Sequence, residues 1–210
     1  GRMSDEVLLP AKNADYATKE YWEDRYDQDQ GEYDWFKTWK DLKEHIGDCF
    51  QPTDRILHLG CGNSTLPMDM YDDGLEQIVN IDFSERIIAR MAQEQAARKR
   101  MEWLVMDITD LKFPDESFEV VLDKGTMDAL LAPQEDMWAI DEEKEGKQVR
   151  QMMREVIRVL KPGGKYVYVT FAQPHFRKPI LLAVELNWTL EQRQIGDAFH
   201  YFVFILTKNT

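Results

Sequence analysis

Short apolar runs alternate with amphipathic stretches along most of the chain. Runs rich in Ile, Val and Leu predict five buried strands, at 55–59, 77–81, 101–106, 118–122 and 165–171. Stretches of helical periodicity predict four helices, at about 37–49, 65–72, 85–99 and 145–160, the second capped by Asn63 or Ser64 and the third by Ser84. Two later segments, 188–194 and 199–207, predict a β hairpin.

This alternation of strands and helices predicts an α/β fold. Crossover helices cover both faces of a mostly parallel sheet, and the late hairpin adds antiparallel strands. Ligands of such sheets bind beyond the carboxyl ends of the strands. Gly60, Asp82, Asp107 and Asp123 stand at four of these ends, so we expect them along one edge, called here the strand-end edge.

The residue types at the strand-end edge are suited to an adenosine. Gly60 and Gly62 let the backbone approach a ligand closely before a helix begins. Asp82 can accept hydrogen bonds from both hydroxyls of a ribose, or else cap the helix that follows. Asp107 can accept from an exocyclic adenine amine, or else close a turn. Thr65 stands where a dinucleotide fingerprint needs its third glycine, and no P-loop lysine follows, so a single adenosine is favoured.

An aromatic segment precedes the first strand. Residues 16–39 hold Tyr21, Trp22, Tyr26, Tyr33, Trp35, Phe36 and Trp39, interleaved with acids. An amphipathic helix would pack these rings on the core, whereas a lid would close them over a ligand. We expect one domain over 3–210, in which 3–50 form a helical extension or lid.

Composition narrows the classes of partner. The chain has 210 residues and a net charge of −13, which argues against direct binding of nucleic acid and favours a basic protein partner. No apolar run approaches the roughly 20 residues of a membrane span, and no signal-peptide pattern is present. Two cysteines indicate no disulfide framework, and the four histidines show no metal-ligand spacing. We expect a cytoplasmic monomer without a metal ion.

Several motifs resemble those of a known family. HLGCGNS at 58–64, Asp82, Asp107 and PGG at 162–164 resemble the class I S-adenosylmethionine-dependent methyltransferases. Four further runs are similar to the branch that methylates lysines of elongation factor 1-alpha: YWEDRY at 21–26, YDWF at 33–36, DKGTMDALL at 123–131 and PHFR at 174–177. The resemblance implies a Rossmann-like sheet of seven strands, the cofactor S-adenosyl-L-methionine with S-adenosyl-L-homocysteine as product, and a protein-lysine N-methyltransferase.

The resemblance also implies roles for individual residues. The cofactor-binding set is Trp22, Tyr26, Trp35, Gly60, Gly62, Asp82, Phe83, Asp107, Ile108 and Lys124. In this set Gly60 approaches the amino-acid portion, Asp82 binds the ribose, and Phe83 packs on the adenine. Asp107 and Ile108 hold the adenine edge, Lys124 reaches the carboxylate end or the methyl-transfer mouth, and the three aromatic residues close over the cofactor.

Two positions depart from the class pattern. His58 stands where the class usually has an acid, and Ser64 where it has a third glycine. The cofactor's ammonium then needs another partner, and a cation–π face from the N-terminal aromatics is one candidate.

Candidates for the acceptor side follow the fourth and fifth strands. Asp123 and Asp128 are candidate carboxylates that orient the amine, although Asp128 could simply belong to a helix end. His175, Phe176 and Arg177 contact the substrate or form a solvated turn. An acidic run docks a basic partner or is a solvated loop: Glu135, Asp136, Asp141, Glu142, Glu143 and Glu145. The alternatives to a protein-lysine methyltransferase are a small-molecule methyltransferase of the same fold and a non-catalytic cofactor-binding scaffold.

Overall fold

A computed structural model describes residues 10, 12–28, 34, 36–132, 145–183, 186–196 and 200–210. The strands are β1 Ile56–Leu59, β2 Ile78–Asp82, β3 Glu102–Val105, β4 Phe118–Lys124, β5 Leu160–Thr170, β6 Trp188–Ile195 and β7 Tyr201–Lys208. The helices are α1 Lys19–Gln28, α2 Trp39–Ile46, α3 Leu66–Asp72, α4 Glu85–Glu94, α5 Thr126–Leu130, α6 Glu145–Val159 and α7 Pro174–Leu181, with 3-10 turns at Asn13–Ala17 and Gly47–Cys49.

The seven strands form one sheet in the order β3-β2-β1-β4-β5-β7-β6. The pairs from β3 through β5 are parallel, and β7 is antiparallel to both β5 and β6. This confirms the predicted fold class, including the C-terminal hairpin. Because chain order reverses at β1 and β4, the crevice between their carboxyl ends is where a ligand of such a sheet binds.

Two apolar layers explain why the central strands are apolar on both faces. Leu57 and Leu59 of β1 pack in one layer, together with Met152 and Val156 of α6. Ile56 packs in the other layer, with side chains of α2 and α3. Neighbouring residues of a strand point to opposite faces, so helices on both sides bury every position of β1.

Several element boundaries differ from the predicted ones. The predicted helix 85–99 ends at Glu94, because Gln95 leaves the helical region and Arg98 turns to bind Asp72. Strand β5 begins at Leu160, earlier than predicted. It pairs with β4 first at Leu160 and again from Lys165, and the Pro-Gly-Gly segment between them bulges out of the ladder.

The N-terminal segment is docked on the rest of the fold. Oε1 of Glu23 in α1 accepts a hydrogen bond from the backbone N–H of Glu85, the first residue of α4. Arg86 of α4 pairs with both Glu23 and Asp27. These contacts hold α1 beside the start of α4, next to the strand-end edge.

Candidate functional site

A cavity of about 460 Å³ opens at the strand-end edge. This volume is in the range of small-molecule and cofactor sites. The wall includes eleven of the residues singled out from the sequence: Trp22, Tyr26, Gly60, Gly62, Asp82, Phe83, Asp107, Ile108, Lys124, Asp128 and Arg177. The fold thus brings together residues from the N-terminal segment and from the ends of β1, β2, β3 and β4.

The turn after β1 requires glycine. Gly60 and Gly62 have φ of 56° and 51°, in the left-handed region that other residues rarely adopt. A Cβ on Gly60 would lie 2.7 Å from Cγ2 of Thr126, and a Cβ on Gly62 would lie 2.8 Å from the hydroxyl of Tyr26. Thr126 is fixed in turn, because its hydroxyl donates to the carbonyl of Leu59 at 2.9 Å. Bare backbone therefore forms this part of the cavity wall.

Asp82 both binds the neighbouring backbone and lines the cavity. Oδ1 accepts from the N–H of Ser84 and Oδ2 from the N–H of Gly62, each at 3.0 Å. Burial raises the pKa of Asp82 to about 6, against the lowering effect of these two donors. The cap of α4 is Ser84, whose hydroxyl accepts from the N–H of Ile87. Asp82 thus holds the glycine turn and lines the cavity, and it is not the cap of α4.

Asp107 closes a turn at the next strand end. Its Oδ1 accepts from the backbone N–H and from the hydroxyl of Thr109, both at 2.7 Å. No donor among the described residues is bound to Oδ2, so the carboxylate retains acceptor capacity at the cavity wall. Phe83 and Ile108, both half-buried, give this end of the cavity an apolar lining.

The N-terminal aromatics both pack on the core and line the cavity. Tyr26 is buried in a cluster with Cys61, Met68 and Ile87, and burial raises the pKa of its hydroxyl. The Trp22 ring lies 5.7 Å from that of Tyr26, and its indole N–H donates to the carbonyl of Tyr16 at 2.7 Å. The two interpretations offered by the sequence are therefore compatible. Trp35 lies outside the described residues.

A buried ion pair at the cavity is the feature that sequence reasoning missed. Oδ1 of Asp34 accepts from Nζ of Lys124 at 3.1 Å and from the hydroxyl of Ser64, and Oδ2 accepts from the hydroxyl of Thr65 at 2.6 Å. Burial opposes ionisation of Asp34, but the charge of Lys124 and the two hydroxyls outweigh it and lower its pKa. Asp34 does belong to the YDWF run at 33–36, which was the only available signal.

His58 does not replace the acid of the class pattern. Its Nδ1 lies 3.0 Å from Oδ1 of Asn80, and burial lowers the pKa of the imidazole to about 4. The ring is therefore neutral at pH 7. The carboxylate behind this part of the cavity wall is that of Asp34, which does not line the cavity itself but binds Ser64 and Lys124, which both do.

The position of Asp123 corrects the expectation that its carboxylate orients the acceptor amine. Asp123 is fully buried and is not part of the cavity wall. Its Oδ1 accepts from the N–H of Thr126, and its Oδ2 accepts from the N–H of Met127 and the hydroxyl of Tyr166. Burial, with a further contribution from the charge of Asp128, raises its pKa to about 7. Asp123 binds the first amides of α5, because that helix starts immediately after β4.

Asp128 does line the cavity, and Arg177 is bound to it. Oδ1 of Asp128 accepts from the hydroxyl of Tyr168 at 2.9 Å, from the hydroxyl of Thr170 at 2.7 Å and from Nη2 of Arg177 at 2.8 Å. Arg177 is buried, so the alternative of a solvated arginine is wrong. Phe176 is 47% exposed beside His175, and neither ring belongs to the cavity wall.

Other features of the described residues add no further site. No group of three or more His, Cys, Asp or Glu side chains is placed to hold a metal ion in that part of the chain. Within the same residues, no helix is long and apolar enough to cross a membrane. The acidic run between α5 and α6 lies outside the described residues up to position 144.

Comparisons with known proteins agree with the fold. Residues 57–168 match the family described as a methyltransferase domain. A solved S-adenosylmethionine-dependent methyltransferase of Methanosarcina mazei superimposes with a TM-score of 0.61 at 22% identity, over 80% of this chain and 99% of that one. The N-methyltransferase NodS of Bradyrhizobium japonicum in complex with S-adenosyl-L-homocysteine gives 0.57 at 16% identity, over 81% and 85%. Fold, cavity and family match define an S-adenosylmethionine-dependent methyltransferase.

Two curated relatives identify a family within this class of enzymes. EEF1A lysine methyltransferase 4 of Bos taurus is 36% identical over 202 residues, which is 95% of this chain and 79% of that protein. The eEF1A lysine and N-terminal methyltransferase of Mus musculus is 40% identical over 217 residues, and the match covers 96% of this chain but only 30% of that protein. The chain belongs to the family of these eEF1A lysine methyltransferases, which confirms the family, the enzyme class and the cofactor predicted from the sequence.

Proposed function

We propose that this protein transfers a methyl group from S-adenosyl-L-methionine to a lysine ε-amine of elongation factor eEF1A. The observation that carries the proposal is the 36–40% identity, over 95–96% of this chain, to relatives named for that activity. The residues that line the cavity support this proposal. A glycine turn suits the amino-acid tail of the cofactor, a buried carboxylate suits its ribose, and an apolar end suits its adenine.

We assign the two ends of the cofactor to different parts of the cavity. Asp82 accepts from the ribose, Phe83 and Ile108 pack against the adenine, and the free acceptor of Asp107 faces its amine. At the other end, Lys124 lines the cavity beside the glycine turn, and Asp34 lies behind the wall as its ion-pair partner. Lys124 is the proposed partner of the carboxylate of the amino-acid tail, and Asp34 is the proposed counter-charge for its ammonium in place of the acid that His58 lacks.

The bound cofactor supplies an electrophilic methyl group on a sulfonium. The protein's own contribution is to hold the acceptor nitrogen in line and to exclude water. A lysine must also lose its proton, and an ordinary lysine has a pKa of about 10.4. An apolar entrance disfavours the ammonium and so favours the neutral amine. Phe36 is half-buried and Phe171 is exposed, and both rings line the cavity. They provide such an entrance.

The N-terminal extension, residues 3–50, is proposed to act as a lid over the cofactor. Trp22 and Tyr26 line the cavity from α1, and Asn13, Tyr16 and Ala17 line it from the preceding 3-10 turn. Deletion of residues 1–36 should abolish binding of S-adenosyl-L-homocysteine in calorimetry and leave the sheet folded by circular dichroism. Unchanged affinity in the deletion variant would refute the lid.

The net charge of −13 supports a basic protein partner in the cytoplasm and, with the small size, a monomeric enzyme. Methylation of such a partner should slow as salt concentration rises, because screening weakens long-range attraction. A rate independent of salt from 50 to 300 mM would argue against charge-guided docking. Size-exclusion chromatography with light scattering tests the monomer.

The function is tested by incubating the protein with radiolabelled S-adenosylmethionine and either recombinant eEF1A or a cell extract. A labelled eEF1A band, mapped by mass spectrometry to a lysine, is the expected result. Label in a metabolite without a protein band would favour the small-molecule methyltransferase. Binding of S-adenosyl-L-homocysteine without any transfer would favour the scaffold.

A further inference from the structure

One oxygen of Asp128 is buried without a hydrogen-bond partner among the described residues. The side chain is 9% exposed, and its Oδ2 is fully buried while the residue lines the cavity. A buried carboxylate oxygen without a donor is unfavourable by about 1–3 kcal/mol or more. Because Asp128 lines the cavity, the N–H of a ligand bound there is a candidate donor for this oxygen.

The other oxygen of Asp128 is fully used, which fixes the direction of Oδ2. Oδ1 accepts three hydrogen bonds, from the Tyr168 and Thr170 hydroxyls and from the Arg177 guanidinium. Nε of Arg177 also donates to the hydroxyl of Tyr168 at 3.0 Å, so the donors hold one another. These three bonds hold the carboxylate in one orientation, so Oδ2 keeps its position without a donor from the described residues.

Two aromatic rings lie in contact in the cavity wall that also includes Asp128. The ring of Phe171 follows Thr170 directly in the chain and lies 5.3 Å from the ring of Phe36, and both rings line the same cavity. Phe36 lies against Gly125, the residue just before the helix that carries Asp128. Phe36 has φ of 71°, an unfavourable backbone for a phenylalanine that the fold nevertheless imposes.

We propose that Asp128 Oδ2 binds the ε-nitrogen of the acceptor lysine, whose methylenes lie against the rings of Phe36 and Phe171. Tyr168, Thr170 and Arg177 are positioning residues for this carboxylate. The inference rests on the proposed lysine methyltransferase function and adds the group that recognises the nitrogen. It also reassigns Arg177, which the sequence placed in contact with the substrate.

The charge balance at Asp128 suits a nucleophile. Arg177 already compensates the negative charge, so Oδ2 accepts an N–H without strongly favouring the ammonium over the amine. The amine gives up its extra proton to water. Its lone pair then forms the N–C bond to the methyl group while the S–C bond of the sulfonium breaks. The hydrogen bond from the N–H to Oδ2 keeps the lone pair directed at the methyl carbon.

The first test uses a lysine side-chain analogue and no protein substrate. The protein saturated with S-adenosyl-L-homocysteine is titrated by NMR with n-butylammonium chloride and, separately, with 1-butanol. Asp128→Asn should weaken butylammonium binding by about tenfold or more and leave 1-butanol and S-adenosyl-L-homocysteine binding within about twofold. Asp72→Asn, at an exposed acid of α3, is the matched control and should change nothing. Equal butylammonium binding by wild type and Asp128→Asn, or none by wild type, would overturn the proposal.

The second test separates positioning from folding. Thr170→Val removes one donor to Oδ1 and keeps the side-chain shape. With eEF1A as acceptor, it should lower kcat by about tenfold with little change in KM for S-adenosylmethionine, and Asp128→Asn should lower kcat/KM for eEF1A by about 10²-fold. Unchanged kcat in Thr170→Val would remove Thr170 from the positioning set. If wild type binds butylammonium through Asp128 but does not methylate eEF1A, the lysine site stands and the eEF1A assignment fails.

Discussion

Asp34 and Lys124, 90 positions apart in the chain, form a buried ion pair with 3.1 Å between Oδ1 and Nζ. The Lys124 side chain is 2% exposed and that of Asp34 12%. Asp34 also holds the hydroxyls of Ser64 and Thr65, at the residues just before α3. One carboxylate thus ties the N-terminal segment to the ends of β1 and β4, which form the floor of the cavity.

Asp34→Asn should reduce both stability and cofactor affinity. Removing one partner of a buried pair leaves the other charge uncompensated, so we expect a loss of about 3 kcal/mol in the free energy of unfolding. The Kd for S-adenosyl-L-homocysteine should rise by about tenfold, because Lys124, which lines the cavity, loses the carboxylate that fixes its position. Urea unfolding and calorimetry measure the two effects. Asp24→Asn, at an exposed acid of α1, is the control, and an Asp34→Asn variant no weaker than that control contradicts the role of the pair.

The strand-end residues were predictable from the sequence for a geometrical reason. Parallel strands place their carboxyl ends on one edge, so finding the strands was enough to group Gly60, Asp82 and Asp107. Asp34 was not predictable in this way, because its partners lie 30 to 90 positions away and nothing local encodes them. The same holds for Asp128, whose orientation depends on donors 40 to 49 positions downstream.

Asp123 is the opposite case, because the sequence pattern included it in the site and the structure excludes it from the cavity wall. Its place at a strand end made it equivalent to Asp82 in the pattern, yet it does not reach the cavity. Both carboxylates accept two backbone amides, so the difference lies in burial. Asp123 also accepts from the buried hydroxyl of Tyr166 and is fully enclosed, away from the cavity.

Gly60→Ala should impair both folding and cofactor binding. An alanine at φ 56° is strained by about 1–2 kcal/mol, and its Cβ would clash with Thr126. We expect a loss of roughly 3 kcal/mol in the free energy of unfolding and a Kd for S-adenosyl-L-homocysteine raised at least about tenfold. Gly74→Ala is the matched control, since its φ of 97° is also left-handed but no atom lies within 4 Å of the added Cβ. Equal losses in the two variants would show that backbone strain alone, without the clash, explains the effect.

Cofactor affinity should fall in acid because of Asp82. Burial raises its pKa to about 6, so the carboxyl is ionised at pH 7.5 and becomes protonated as the pH falls through 6. A protonated carboxyl accepts fewer hydrogen bonds from a ribose, so the Kd for S-adenosyl-L-homocysteine should rise by about tenfold between pH 7.5 and 5. His58, which also lines the cavity, has a pKa near 4 and stays neutral over this range. Asp82→Asn should bind more weakly at pH 7.5 and with little pH dependence, and an Asp82→Asn variant that keeps the full dependence would contradict the assignment.

Asp123→Asn should make stability less sensitive to alkaline pH. The folded-state pKa of Asp123, about 7, is above the ordinary value of 3.8, so the folded protein holds this proton more tightly than the unfolded chain. The stabilisation is complete below pH 3.8 and is lost as the pH rises through 7. Between pH 5.5 and 8 the loss amounts to about 2 kcal/mol in the free energy of unfolding.

The buried His58 changes the free energy of unfolding in the opposite direction over part of this pH range. Its pKa is lowered to about 4, so the unfolded chain takes up its proton first, and stability falls as the pH drops below about 6.5. Subtracting the Asp123→Asn curve from the wild-type curve removes this common contribution. Urea unfolding at pH 5.5, 6.5, 7.5 and 8 should then leave a difference that grows with pH in favour of the variant. A difference independent of pH would mean that Asp123 is already ionised in the folded protein at pH 5.5, with its charge compensated by the amides of α5 and the hydroxyl of Tyr166.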